Sequence, residues 1–438
     1  MREYRKTGSI RGIRLDHRKN TAECETVTLP AGETVTIPLA MHIGAPALPV
    51  VEKGQQVYVG TLIGRAASFV SANIHASISG TVEKLDRVLF ADGQYKQAVV
   101  IRSDGKDTPD PSLAPPAVTT RDELVAAVAA SGLVGLGGAG FPMHVKLSPP
   151  KGRRIDTLIV NAAECEPYIT SDYREMMESP DDVIEGLALV MKFLSIPNGV
   201  LAIESNKPRA IRLMQQKTAC LPGVRVQKLS SRYPQGAEKM LIANTVGRAV
   251  PIGKLPSDVG CIVVNVTSLS FISKYLRTGM PLVRRRLTVD GSAVRKPGNY
   301  SVPVGIKVRD LIESCGGYAA ECRELIMGGP MMGNSLYTDD FPILKSTNAI
   351  LALTSAEMRE LTIEPCIHCG RCVHGCPMRL SPVEIAAAFD RRDLALAGRL
   401  GVSACVECGC CSYVCPAKRP LTQRMKMAKI ELRKAGKK

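Results

Sequence analysis

The chain has no tryptophan, and aromatic residues make up only 4% of its 438 positions. Its formal charge of +16 asks for an acidic partner. In its most basic stretch, Lys418 to Lys438, no aromatics interleave with the basic residues to stack on bases, so nucleic acid is not the expected partner. No stretch approaches ~18 apolar residues, which argues against a transmembrane helix. The N-terminal "MREYRKTGSIRGIRLDHRKN" carries charge without an apolar segment, and no signal peptide is expected. A membrane role then has to come through partners or surface charge.

Hydrophobic residues reach 45%, enough for real cores, and the length suggests about three domains. Half of the net charge lies between Lys418 and Lys438, where nine Lys/Arg meet one acid, Glu431. This reads either as a solvated helical tail or as a patch for an anionic lipid surface or an acidic redox partner. Fifteen cysteines need a purpose other than disulfides if the chain stays in a reducing compartment.

The pattern predicts a multidomain α+β protein. Residues 1–102 read as a β barrel-sandwich of lipoyl-like type, with "ETVTIPL" alternating and hairpins in "VEKGQQVYVGTLIGR" and "IHASISGTVEKL". No lysine stands in "SFVSANIHAS", which excludes a swinging carrier arm, and His42 and His75 read as structural. The proline-rich stretch 103–118 reads as a linker. Residues 119–283 alternate helix and strand. Thr120 and Glu123 form a capping box, Gly132 ends the helix, and "DTLIVN", "GVLAIE" and "CIVVNV" are strands buried on both faces. Residues 284–354 read as a β-grasp module. Residues 355–438 read as an α-helical ferredoxin domain, with Ser381, Pro382 and Glu384 opening a helix between its two cysteine runs.

Those runs are the strongest signal. "CIHCGRCVHGCP" and "CVECGCCSYVCP" share the C-x2-C-x2-C-x3-C-P spacing of two-cluster ferredoxins, in which the fourth cysteine ligates the other cluster. This assigns Cys366, Cys369, Cys372 and Cys415 to one [4Fe-4S] cluster, and Cys405, Cys408, Cys411 and Cys376 to a second. Zinc prefers separated C-x-x-C pairs. Cys410 falls outside the spacing and reads as a spare thiol. Cys24, Cys165, Cys220, Cys261, Cys315 and Cys322 show no ligand spacing, and most read as small hydrophobes.

"GLGGAGFPMHVK" contains Gly135-x-Gly137-Gly138-x-Gly140, which formally fits G-x-G-x-x-G. A dinucleotide fingerprint follows a strand and opens a helix. Here a helix precedes the loop and Phe141-Pro142 follows it. The glycines and Lys146 still suit close backbone approach to a phosphate or a ring, against the alternative of a tight packing turn. Polar residues follow three strands: Asn161, Glu164 and Glu166; Glu204, Asn206 and Lys207; and Asn265. Ligands of open α/β sheets lie outside such strand ends.

"GLGGAGFPMHVKL", "VNAAECEP", "YPQGAEKML", "HIGAP", "IHASISG", "GGPMMG" and "CSYVCPAKRP" resemble the C subunit of the Rnf complex, a membrane-bound ferredoxin:NAD oxidoreductase that moves sodium ions or protons. The resemblance covers nearly the whole chain. The α/β part is also similar to the flavin- and NADH-binding subunit of respiratory complex I. The resemblance implies FMN in the glycine loop, touched by Gly135, Gly137, Gly138 and Lys146, with Asn161, Glu164 and Asn265 around the ring and ribityl chain. It implies that Phe141, Glu166, Glu238 and Lys254 face NAD(H). The complex I pattern has acids where Ala163 and Ala237 stand, and a paired asparagine where this chain has Val264-Asn265.

Together these imply a flavin that converts a hydride pair into single electrons for a two-cluster wire. The implied place is the cytoplasmic face of the cell membrane, as a peripheral component among the other Rnf subunits, with ferredoxin reached through them. The same modules also compose flavin-dependent corrinoid reductases of microcompartments, but there the sandwich module moves towards the other end of the chain. A non-catalytic electron wire is a further alternative.

Overall fold

The computed structural model describes residues 12–150, 152–358 and 362–435. The first eleven residues, on which much of the signal-peptide reading rests, lie outside that range, as do the last three residues of the basic tail.

The barrel is a sandwich of two antiparallel sheets. One orders Thr34–Pro38, Tyr95–Ser103, Gly80–Leu89 and Gln56–Val57; the other orders Leu48–Pro49, Leu62–Arg65 and Ile74–His75. In "TVTIP" Val35 and Ile37 point inward, because successive side chains alternate across a strand. They meet Ile63, Ile74, Val82 and Ile101 in one core. Gln56–Val57 and Leu62–Arg65 fall in different sheets, as do Ile74–His75 and Gly80–Leu89, so each stretch read as a hairpin instead turns a corner between sheets and the antiparallel pairing runs from one stretch to the other. Residues 12–28 do not join the barrel. Thr26–Thr28 pairs in parallel with Gly298–Pro303 of the β-grasp sheet, and Ile13 pairs with Tyr233. The proline-rich stretch is not a loose linker either. Val59 bonds both Thr108 and Asp110 through its backbone, and Thr61 donates to the Asp110 carboxylate.

The α/β domain carries four parallel strands in the order Val224–Leu229, Asn198–Glu204, Thr157–Ala162, Cys261–Asn265. The last three are apolar because both faces are covered, whereas the edge strand Val224–Leu229 carries Arg225, Gln227 and Lys228. Leu158 and Val160 face a helical layer with Leu187, Val190, Leu269 and Ile272. Ile159 points the other way, onto Leu241 and Ile242. Each such fully buried aliphatic side chain contributes about 1.5–3 kcal/mol. The capping box at Thr120 and Glu123 forms as expected, and Gly132 follows in a left-handed conformation, φ +68°.

The β-grasp sheet orders Thr26–Thr28, Gly298–Pro303, Arg284–Asp290, Ala349–Leu353, Glu324–Met327 and Asn334–Ser335, with the helix Val308–Ser314 packed against it. The last domain is helical. Its helix Pro382–Asp390 begins with proline at the first turn, but the Ser381 side chain makes no cap bond. The expected capping box is absent there, since Ser381 at φ −101° and ψ 86° departs from the extended geometry that aims a capping oxygen at the first turn. The basic helix Leu421–Ala435 is not simply a solvated tail. It buries Leu421, Met425 and Ala428, and Lys429 donates to Cys405 O at 2.8 Å.

Candidate flavin crevice and cysteine cavity

In the α/β sheet the chain winds outward from Thr157–Ala162 in one direction, then places Cys261–Asn265 on its other side. The carboxyl ends of these two strands therefore flank the point where strand order reverses, which is where ligands of such sheets bind. Asn161 and Asn265 stand there as register partners. Asn161 Nδ2 donates to Gly236 O at 2.9 Å. Asn265 Nδ2 donates to Asp172 Oδ2 at 2.7 Å, while its Oδ1 caps the following helix by accepting from Thr267 N at 3.0 Å.

The glycine loop lies against this crevice. It is closed by Gly135 N to Phe141 O at 2.9 Å and Met143 N to Leu133 O at 3.1 Å. Gly137 abuts Asn265 so closely that a Cβ would lie 2.5 Å from Nδ2, whereas a Cβ on Gly138 would meet nothing within 4 Å. Beyond the loop, Lys146 Nζ donates to Glu238 Oε1 at 2.8 Å and Val263 O at 3.0 Å. One flavin candidate and one NAD(H) candidate are thus directly linked.

The loop after Thr157–Ala162 is strained. Glu164 and Tyr168 have φ of +48° and +69°, a region uncommon for non-glycine residues. Lys19, from the N-terminal stretch, holds it by donating to the carbonyls of Glu164, Glu166 and Ile169. Burial, with Lys207 nearby, brings the Lys19 ammonium down to about 8. Lys207 Nζ adds a bond to Ala163 O at 2.7 Å. Glu164 Oε1 accepts from Asp172 N at 2.6 Å, but its Oε2 is buried without a hydrogen-bond partner, as are Gln235 Nε2 and Asn206 Nδ2. Burial raises Glu164 to about 7 against the pull of Lys19 and Lys207. Burial also raises Glu166 to about 7; its carboxylate accepts from Tyr233 Oη at 3.2 Å and Met331 N at 3.0 Å. Lys254 is exposed on the turn 251–254, and no hydrogen bond gathers it with the other candidates.

The cysteine runs fold as a repeat. His368 and Glu407, two residues after the first cysteine of each run, have φ of +52° and +58°. The N–H of each reaches back to that cysteine's sulfur at 3.4 and 3.3 Å. Gly370 and Gly409, and likewise Arg379 and Lys418, repeat the left-handed conformation at matching places. Cys376, Cys405, Cys408 and Cys411 line one cavity together with Thr422 and Met425. These four are the cysteines that the crossed assignment groups together, the fourth of one run with three of the other, and Cys410 lines the same cavity as well. Cys372 packs by Cys415, while Cys366 is half-buried and Cys369 exposed. Among the described residues no three His, Cys, Asp or Glu converge as a single metal ion needs. A [4Fe-4S] cube makes a different demand, because each thiolate binds its own iron.

Crevice and cavity meet at Tyr233. Its side chain bonds Glu166, its N–H and C=O pair with Ile13, and Cys410 Sγ lies 3.9 Å from its carbonyl oxygen. Tyr233, Ile13, Cys408 and Cys410 form one buried cluster, with Cys165 against it. Cys410 is thus fully buried between domains rather than simply spare. Of the other cysteines, Cys261 and Cys315 are buried, but Cys220 is exposed. The sequence reading missed Lys19, Asp172 and Tyr233 as parts of this region. Asp172 lies in the first turn of the helix Ser171–Glu178 and Tyr233 opens "YPQGAEKML", but no local pattern marks either as part of the site, and only the tertiary packing brings them together with Lys19.

Unpartnered polar atoms in a glycine-lined crevice suit a polar, ring-bearing ligand, and the thiols enclosing the cavity suit a cluster. These features define a flavin-binding electron-transfer protein with iron–sulfur domains. Nuo51 FMN-binding domains match residues 128–274, RnfC barrel sandwich hybrid domains residues 8–106, SLBB domains residues 286–335 and 4Fe-4S dicluster domains residues 360–416. The C subunit of the proton-translocating ferredoxin:NAD+ oxidoreductase complex of Clostridium ljungdahlii is 42% identical, over 96% of this chain and 93% of that one. The C subunit of the Na+-translocating complex of Acetobacterium woodii is 40% identical, over 86% of each chain. The chain belongs to the C-subunit family of the Rnf ion-translocating ferredoxin:NAD oxidoreductase complexes. FMN and iron–sulfur clusters are its cofactors, and NAD its substrate. Among solved structures, a chain of an NAD+-reducing [NiFe]-hydrogenase in the H2-reduced state shares the fold, at a TM-score of 0.50 and 17% identity. That likeness covers 70% of this chain and 63% of the hydrogenase chain. Among the described residues no helix is long and apolar enough to cross a membrane.

Proposed function

We propose that the crevice at Asn161 and Asn265 is the place where this protein exchanges electrons with NAD(H), and that the cavity of Cys376, Cys405, Cys408 and Cys411 holds the cluster nearest to it. The observation that carries this reading is Tyr233, which touches the crevice loop through Glu166 and the cysteine cluster through Cys410. FMN, when bound, supplies the conversion between a hydride pair and single electrons.

The chain's own residues bind and orient. The backbone of Gly135, Gly137 and Gly138, with Lys146, would hold the flavin, and Asn161, Glu164 and Asn265 would meet its polar edge. Phe141 and Glu238 flank the same loop and would receive NAD(H), with Glu166 and Lys254 completing those contacts. Lys19 keeps the Glu164–Ile169 loop in its strained shape, so that Glu164 Oε2 needs no rearrangement to accept a bond. Cys366, Cys369, Cys372 and Cys415 would hold the outer cluster. Cys369 is exposed and Ile367 is 68% exposed, an apolar surface suited to another member of the complex. The proposed position is peripheral, at the cytoplasmic face of the membrane, with ferredoxin reached through partner subunits.

The test is an anaerobic NADH titration of the purified chain supplied with FMN, followed by visible absorbance. Bleaching of flavin and then of iron–sulfur absorbance is expected. Intact clusters with no bound flavin and no response to NADH would leave only an electron wire.

A further inference from the structure

Two cations from the β-grasp domain are completely buried. Arg285 is 2% exposed and Lys345 is 1% exposed. Buried charge is costly unless each donor finds an acceptor, so their partners define their purpose. Lys345 Nζ donates to Gly132 O at 2.7 Å and to Asn73 O of the barrel at 2.6 Å. Arg285 Nε donates to Thr347 O at 2.8 Å, and its Nη2 donates to Leu136 O, within the glycine loop. The nearby carboxylates of Asp172 and Glu175 partly offset the burial of Arg285. Asp172 in turn accepts from Asn265.

Three further carbonyls at the two ends of the loop are held as well. Leu282 N reaches Ser131 O at 3.0 Å, Ile43 N reaches Gly140 O at 3.2 Å, and Phe141 O accepts from Gly135 N. In a trans peptide the C=O and N–H point in opposite directions. An arginine that draws the Leu136 carbonyl to one side therefore turns the Gly137 N–H to the other. Gly137 is the residue whose Cβ would strike Asn265, so that N–H belongs to the stretch of loop lining the crevice.

We infer that Arg285 is a positioning residue for the flavin: it aims the Gly137 amide into the crevice, with Lys345 anchoring the start of the loop, so the β-grasp domain forms part of the flavin site. The inference rests on the reading of this crevice as the FMN site. Arg285 need not touch the flavin. A lysine in its place keeps the charge but loses the fork that spans Leu136 O and Thr347 O.

The test uses the full chain, purified anaerobically, as wild type, R285K and R285Q. Amide hydrogen exchange over residues 133–141 is measured without FMN, alongside FMN affinity, flavin midpoint potential and cluster absorbance. In both variants loop exchange is expected to quicken at least ~10-fold and FMN affinity to fall ~10-fold or more. The potential of any flavin still bound should shift, while cluster absorbance stays at its wild-type level. If R285Q fails to fold, R285K decides, because it retains the buried charge. Wild-type exchange in the variant loop would overturn the inference, as would unchanged FMN affinity and potential. A wild-type chain that binds no FMN would overturn the flavin reading instead; the exchange result would still decide whether Arg285 anchors the loop.

Discussion

Asn161 and Asn265 are register partners on adjacent parallel strands, at the carboxyl ends that flank the sheet's reversal of strand order. Each spends one side-chain nitrogen on a structural bond, to Gly236 O and to Asp172 respectively. The pair is built into the floor of the crevice rather than left to float above it.

Replacing Asn265 with alanine should therefore have two separable effects. Loss of the helix cap costs about 1 kcal/mol, visible as a lower midpoint in thermal unfolding. Loss of the crevice amide should also weaken FMN binding ~10-fold in a fluorescence titration. The helix cap can be restored with N265S, which brings no second carboxylate beside Asp172 and should recover the capping share of the stability but not the binding.

The two central glycines should respond differently. G137A forces a methyl group to 2.5 Å from Asn265 Nδ2, an overpacking that costs about 1–3 kcal/mol. G138A points into open space and should change stability by less than about 0.5 kcal/mol. Denaturant midpoints of the flavin-free variants check both values. If the open side of Gly138 is where the flavin lies, G138A should still lose FMN affinity.

Glu164 imposes a pH signature on the flavin-free protein. Its folded-state value, raised by burial to about 7, lies above the ordinary carboxyl range. Between roughly pH 4.3, its unperturbed value, and pH 7, the folded chain holds a proton that the unfolded chain has released. Its contribution to stability is full at the acid end of this window and is lost as pH rises through about 7. Glu166, also raised to about 7, adds to the same arm, so E164Q should make that arm of the stability–pH curve shallower and E164Q/E166Q shallower still, and unfolding measured across the window tests this.

The cysteine assignment makes a paired prediction. C376S and C415S should each halve the iron content, because each removes one ligand from a different cube. Only C376S should block NADH-driven bleaching of the remaining cluster, since it breaks the cluster beside Tyr233. In C415S the near cluster should still bleach. C410S should keep full iron, as its sulfur faces Tyr233 O.

Much of this is readable from local patterns. The cysteine spacing carries the cluster assignment, since three residues per step is a property of neighbouring positions. The strands ending in Asn161, Glu204 and Asn265 are legible because continuous apolar runs mark a sheet covered on both faces. The cap expected at Thr120 forms, while the one expected at Ser381 does not. A cap depends on backbone angles that the following Pro382 and the cluster domain impose, as well as on residue type. The hairpin expected at residues 51–65 is a corner between sheets, because short strands choose their partners by packing.

Other features cannot be read this way. Thr26–Thr28 joins a strand some 270 residues further on, and Lys19 binds the loop at 164–169. Arg285 and Lys345 look like ordinary surface cations in a basic chain until the fold buries Arg285 on Leu136 O of the glycine loop and Lys345 on Gly132 O just before it. Residue type and spacing mark the candidate cluster cysteines and the segments that become strands, because those patterns repeat within a few residues. Which carbonyl a buried cation draws, and hence which way a loop's amides point, depends on domains brought together across hundreds of residues. That was settled only when the chain packed.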